Sequence, residues 1–120
     1  MLDKSYDLEQ RTFEGAKKIS LFIKDLPHTI ANKEDAKQLV RTSVSIGANY
    51  IEANEAFNKK DFIYQLKISR KEAKESIYWL KRIKESNKPD NKNTADLLLI
   101  EPEEIRKILS LIINKTELKT

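Results

Sequence analysis

Apolar side chains recur along this chain at steps of three and four residues, in four blocks parted by short polar breaks. In the first block Phe13, Ala16, Ile19, Ile23 and Leu26 share a face, with Phe22 beside them, which predicts a helix over residues 8–26. Pro27 ends it, because proline has no N–H to donate and clashes with the preceding turn. Gly15 costs some helicity and leaves room for close packing. The second block starts near Asn32, a predicted N-cap, and runs to about Phe57. Glu34 and Asp35 fall in its first turn, where the helix dipole favours acids. It carries two apolar stripes. Leu39, Ser43, Ile46, Tyr50, Ala53 and Phe57 make one; Val40, Val44, Gly47 and Ile51 make the other. A helix in an isolated bundle needs one apolar arc, so the second predicts a partner subunit or a crowded internal position. Gly47 and Ala48 would let a neighbouring backbone come close.

The third block opens on Asn58 as N-cap, with Asp61 at the capping-box position, and continues to about Glu85. Phe62, Leu66, Ser69, Ala73, Leu80 and Ile83 form its core stripe, helped by Ile63 and Ile77. Residues 86–93, SNKPDNKN, read as a loop, and Thr94 as a cap for the fourth block. Leu97, Leu98, Ile100, Ile105, Ile108, Leu109, Ile112 and Ile113 supply this last apolar element. Pro102 either starts a fresh helix or kinks one helix spanning about 95–116; the single helix matches its neighbours in length and is preferred. No segment sustains a period of two outside these patterns. The expected fold is all-α: one domain, residues 1–120, an antiparallel up-down-up-down four-helix bundle that assembles as a homo-oligomer.

Composition changes this picture in few places. The 120 residues hold no cysteine, which excludes disulfides and thiolate metal sites and fits a cytoplasmic setting. There is no apolar run long enough to span a membrane, and the opening MLDKSYDLEQ is too polar for a signal peptide. Charge matters more. The formal net charge of +4 comes from residues 59–88, which hold ten basic and four acidic side chains. Lys67, Lys71, Lys74 and Lys81 line one helical stripe, with Tyr64 and Tyr78 in the same register and Lys59 and Lys60 extending it. Arg70 and Arg82 flank it, while Glu72 and Glu75 dilute the field. Cations meet phosphates and tyrosines stack on unpaired bases or cover a protein partner, so this stripe is the candidate RNA or ribonucleoprotein contact. The plainer reading is a solvated lysine-rich face.

Asn49 and Glu52 lie three apart, on a face shared with Ser45 and Ala56. They predict a buried polar network, with Arg41, Arg70 or Lys71 as donors to the carboxylate. Tyr50, Ile51 and Trp79 are the expected oligomer-interface residues, although Trp79 and Tyr78 also suit packing at a helix contact. Two glycines cannot form a phosphate cradle, and HExxH and CxxC are absent. Glu72 and Glu75 lack the Glu-x-x-His partners of a di-metal bundle, and the one histidine, His28, falls at a helix end. The sequence therefore predicts no enzyme, no metal and no cofactor.

The stretch RTSVSIGANYIEANEAFNKKDFIYQLKISRKEAKESIYWLKR carries a family resemblance. Ser45, Ile46, Asn49 and Glu52, then Asp61 and Phe62, then the wording of residues 71–80, resemble bacterial four-helix-bundle proteins first found encoded in intervening sequences of 23S ribosomal RNA genes. Ala53 stands where many members have glycine. The resemblance covers residues 39–83 most closely. It implies an antiparallel bundle assembling into homopentamers around a central axis. A related branch of basic pentamers accompanies reverse transcriptases and RNA in diversity-generating retroelements. The functional expectation is a non-enzymatic oligomeric bundle contacting structured RNA or a ribonucleoprotein; the alternative is a protein-protein scaffold without nucleic acid.

Overall fold

A computed structural model describes residues 7–119 of the chain, so most of the polar opening stretch lies outside the described residues. Four helices run in order: α1 (Leu8–Lys24), α2 (Ile30–Asn54), α3 (Lys59–Glu85) and α4 (Pro89–Leu118). Among the described residues there is no strand. Chain neighbours pack side by side, α2 on α3 most extensively, then α3 on α4 and α1 on α2, while α1 touches α4 lightly. The result is a rod of 50 × 23 × 19 Å. The expected four-helix bundle is what forms.

Short caps set the helix ends. Asp7 accepts from the Gln10 N–H at 3.3 Å, Thr29 from Asn32 at 3.0 Å and Asn58 from Asp61 at 2.8 Å, each satisfying a donor the helix itself leaves free. Three boundaries differ from expectation. Thr29, not Asn32, caps α2. Asn32 is instead buried, and it exchanges amide hydrogen bonds with Asn87 at 2.8 and 2.9 Å. Helix α2 stops at Asn54, where the Glu55 N–H turns back to the Ala53 and Glu52 carbonyls, so Phe57 falls in the turn and is fully exposed rather than in the core. Helix α4 begins at Pro89, a residue suited to the first helical position, so of the expected loop only residues 86–88 remain outside a helix and Thr94 lies inside one. It then runs unbroken past Pro102.

The core has two clusters. Leu8, Ile46, Tyr50, Leu66, Ala73 and Leu109 belong to the first; Ile19, Phe22, Leu26, Leu39, Leu80 and Ile83 belong to the second. Helix α1 faces inward through Leu8, Thr12, Ile19 and Phe22, one position round from the expected stripe, and Phe13 is exposed. The cause is the approach of α1 to α2. The Thr12 hydroxyl donates to the Leu8 carbonyl at 2.6 Å, so its polar atom is satisfied when buried against Gly47. A polar seam joins α2 and α3: Ser69 donates to the Ile46 carbonyl at 2.7 Å, and Ser76 to Thr42 Oγ1 at 2.9 Å. These small residues bring the two long helices together and direct the opposite side of α3 to solvent.

Candidate nucleic-acid interface

Lys60, Tyr64, Lys67, Lys71, Lys74, Tyr78 and Lys81 alternate at four- and three-residue steps along α3, and all seven are exposed. At about 1.5 Å per residue they make a line of roughly 30 Å. The line holds only cations and tyrosines. Lys59, at the first turn of α3, donates to the Lys119 carbonyl at the end of α4. Lys67 pairs with Glu117 at 3.2 Å. Lys60, Lys71, Lys74 and Lys81 have no acidic partner among the described residues.

Two open grooves lie along this line. One, of about 590 Å³, is lined by Lys59, Lys60, Ile63, Tyr64, Lys67 and Glu117. The other, of about 340 Å³, is lined by Lys67, Arg70, Lys71, Lys74, Glu75 and Tyr78. Each has a tyrosine and at least three cations. The single carboxylate in each is already engaged: Glu117 by Lys67, and Glu75 by Arg41 at 3.4 Å. The predicted Lys–Tyr set thus lies together on one helix face, with Arg70 added. Arg70 leans towards α4 and donates to the Ser110 hydroxyl at 3.2 Å.

The other predicted residues separate. Asn49 donates to the Ser45 carbonyl at 2.8 Å and is half-buried, but Glu52 is exposed. Among the described residues no hydrogen bond joins them, and of the expected donors Arg41 pairs with Glu72 and Glu75 while Arg70 donates to Ser110. Two acids are buried among the described residues: Asp35, which accepts from Arg82 at 3.3 Å, and Glu72, which the sequence pattern marks only as a weak metal ligand. Glu72 is the less satisfied of the two. Its Oε1 lies 3.7 Å from Arg41 Nη1, too long for a hydrogen bond, and has no hydrogen-bond partner. Its position one turn from Ser69 and Ser76 on the seam face was the available signal. Tyr50, expected at an interface, is instead buried in the chain's own first cluster. Trp79 is half-buried against the second cluster, its ring edge-on to Tyr78 at 4.9 Å between centroids, which fits its reading as a packing residue at a helix contact.

Ile51 does remain at the surface. Together with Phe13, Ala16, Val44 and Ala48 it lines an apolar groove of about 600 Å³ between α1 and α2. A second groove, about 640 Å³, continues past Val40, Ala36 and Ile23 to Pro27 and His28. This is the second apolar stripe of α2 read from the sequence, and the described residues leave it uncovered.

Elsewhere the charges serve the fold. Arg11 donates to both Glu101 oxygens at 2.8 Å and to Glu104 at 3.0 Å, holding the Glu101 carboxyl below its ordinary value and Arg11 above its own. Lys84, hydrogen-bonded to Asp96, is likewise raised. Among the described residues no group of His, Asp or Glu is placed to hold a metal ion, and no helix is long and apolar enough to cross a membrane.

The family model of the 23S rRNA-intervening sequence protein matches residues 4–111. A crystal structure of a protein with unknown function from the S23 ribosomal protein family of Bacteroides thetaiotaomicron VPI-5482 is similar at 30% identity. It superposes with a TM-score of 0.73 over 88% of this chain and 96% of that one. No curated protein matches the chain.

Proposed function

Since the chain belongs to the family of 23S rRNA-intervening sequence proteins, we propose that it is a non-enzymatic, homo-oligomeric bundle of the cytoplasm that binds structured RNA or a ribonucleoprotein through the outer face of α3. One observation carries this reading. Seven positions at alternating four- and three-residue steps on the outer face of α3 are lysine or tyrosine, and the carboxylates lining the two grooves beside them, Glu75 and Glu117, are paired within the chain. Such a row of cations concentrates positive potential over some 30 Å, the field a phosphate backbone meets best. Binding by such a row releases counterions, so affinity falls as salt rises. The test is RNA binding titrated against salt. A straight fall of log affinity with log salt supports the reading; absent or salt-independent binding to folded and unfolded RNA overturns it.

Self-association rests on the α1–α2 groove. Val44 and Ile51 stay exposed on a helix whose other apolar stripe already fills the core. An apolar strip of that length is covered in water most simply by another copy of the chain. The number five comes from the family resemblance alone. The protein-scaffold alternative keeps this assembly and drops the RNA.

A further inference from the structure

Resting on the α3 reading above, we propose that the ligand presents unpaired bases: two of them stack on Tyr64 and Tyr78 while the lysines between hold the intervening phosphates. A base-paired duplex offers its phosphates but keeps its base faces stacked inside, so it would use the lysines and leave the rings idle. Tyr64 and Tyr78 are 61% and 56% exposed as residues, far more than a tyrosine held for packing needs. They stand fourteen residues apart on one rigid helix, about 21 Å along its axis. Each forms one wall of its own groove beside at least three cations, and Lys67 belongs to both grooves. The engaged states of Glu75 and Glu117 leave the groove floors without a free negative charge to repel a phosphate. An acidic protein helix would complement the lysines equally well but would meet the tyrosines only where it carried aromatic side chains of its own, whereas every unpaired nucleotide brings a ring beside its phosphate. A heptad-spaced seam with lysine at five of its seven positions also cannot pack as a coiled coil. Charge complementarity with ring placement selects single-stranded polynucleotide.

The test compares four probes of equal phosphate or carboxylate number, each at the same series of salt concentrations: single-stranded RNA, duplex RNA, an abasic ribose-phosphate strand and polyglutamate. The proteins are the wild type, Tyr64→Ala, Tyr78→Ala and the corresponding Tyr→Phe variants, each checked for helix content. The expected result is tightest binding to single-stranded RNA. Each Tyr→Ala change should weaken it about five-fold or more, the equivalent of ~1 kcal/mol per stacked base, and Phe should restore it. Abasic and duplex binding should not change. Trp79, the chain's one tryptophan, touches Tyr78, so its emission should respond to RNA in Tyr64→Ala and lose that response in Tyr78→Ala. Equal affinity for duplex and single strand, with the tyrosine variants silent, overturns the stacking and leaves the basic face standing. Polyglutamate binding as tightly as RNA overturns it in favour of an acidic protein. Salt-dependent binding to none of the probes overturns both this inference and the reading beneath it.

Discussion

Gly47 and Gly15 sit in helices with opposite tolerance for a side chain. A Cβ on Gly47 would lie 2.6 Å from Thr12 Oγ1 and 3.1 Å from Thr12 Cβ, and the threonine is pinned by its own hydrogen bond. Gly47→Ala should therefore destabilise by about 1–3 kcal/mol despite alanine's better helix propensity. A Cβ on Gly15 would make only ordinary contact, 3.8 Å from Glu101 Cγ, so Gly15→Ala should stabilise by about 0.5–1 kcal/mol. Urea unfolding of both variants reads the contrast. The Arg11–Glu101 pair gives a pH prediction. Glu101 has its pKa lowered by the Arg11 hydrogen bond, so its contribution is complete above the ordinary value of 4.5 and is lost as pH falls through the lower folded value. Arg11→Met should flatten the acid side of the stability profile and leave neutral-to-alkaline slopes unchanged. At this scale the sequence was only partly legible. The choice between Thr12 and Phe13 as the inward residue depends on how closely α1 meets Gly47, which local period does not encode. Glu72 lies one turn from Ser69 and Ser76, so its period was visible, but an acid at that position reads as solvated until Arg41 of α2 is placed beside it.

The helices themselves were largely legible, because apolar spacing and caps act locally. Asn58 and Glu85 bound α3 as expected, and Pro102 lies within one long α4, where its missing N–H leaves the Leu98 carbonyl without its helical donor. The ends of α2 were harder to read. A stripe that continued to Phe57 hid the stop at Asn54, and Asn32 had the composition of a cap while serving as a buried tie. That tie joins three elements: Asn32 also donates to the Pro27 carbonyl at 2.9 Å, and Asn87 to Ile83 at 2.6 Å. Asn87→Ala should cost about 1–3 kcal/mol, since it leaves the buried Asn32 amide short of partners. The double change Asn32→Ala/Asn87→Ala should cost less than the two single losses added together, a coupling a thermodynamic cycle measures.

At the scale of the molecule, two faces are open to partners. On the proposed reading, the apolar face of α1 and α2 would carry assembly and the basic face of α3 would carry ligand binding. Val44→Glu or Ile51→Glu should lower the particle mass in light scattering while helix content by circular dichroism is retained, because both side chains are already exposed in the single chain. Tyr50→Glu should instead unfold it, since Tyr50 is buried in the first core cluster. A 14.0 kDa wild-type particle at micromolar concentration would contradict the assembly. The charge of α3 was legible in the sequence as a run of lysines, but which lysines are free required the fold, which engages Lys67 and Lys59 and leaves Lys60, Lys71 and Lys74 without an acidic partner among the described residues. The most direct test of the central claim is the slope of log RNA affinity against log salt, for the wild type beside Lys60→Gln/Lys71→Gln/Lys74→Gln. Each lost phosphate contact should remove about 0.7–0.9 from that slope, so the account predicts a variant line shallower by roughly 2–3. Two parallel lines of equal affinity would contradict it.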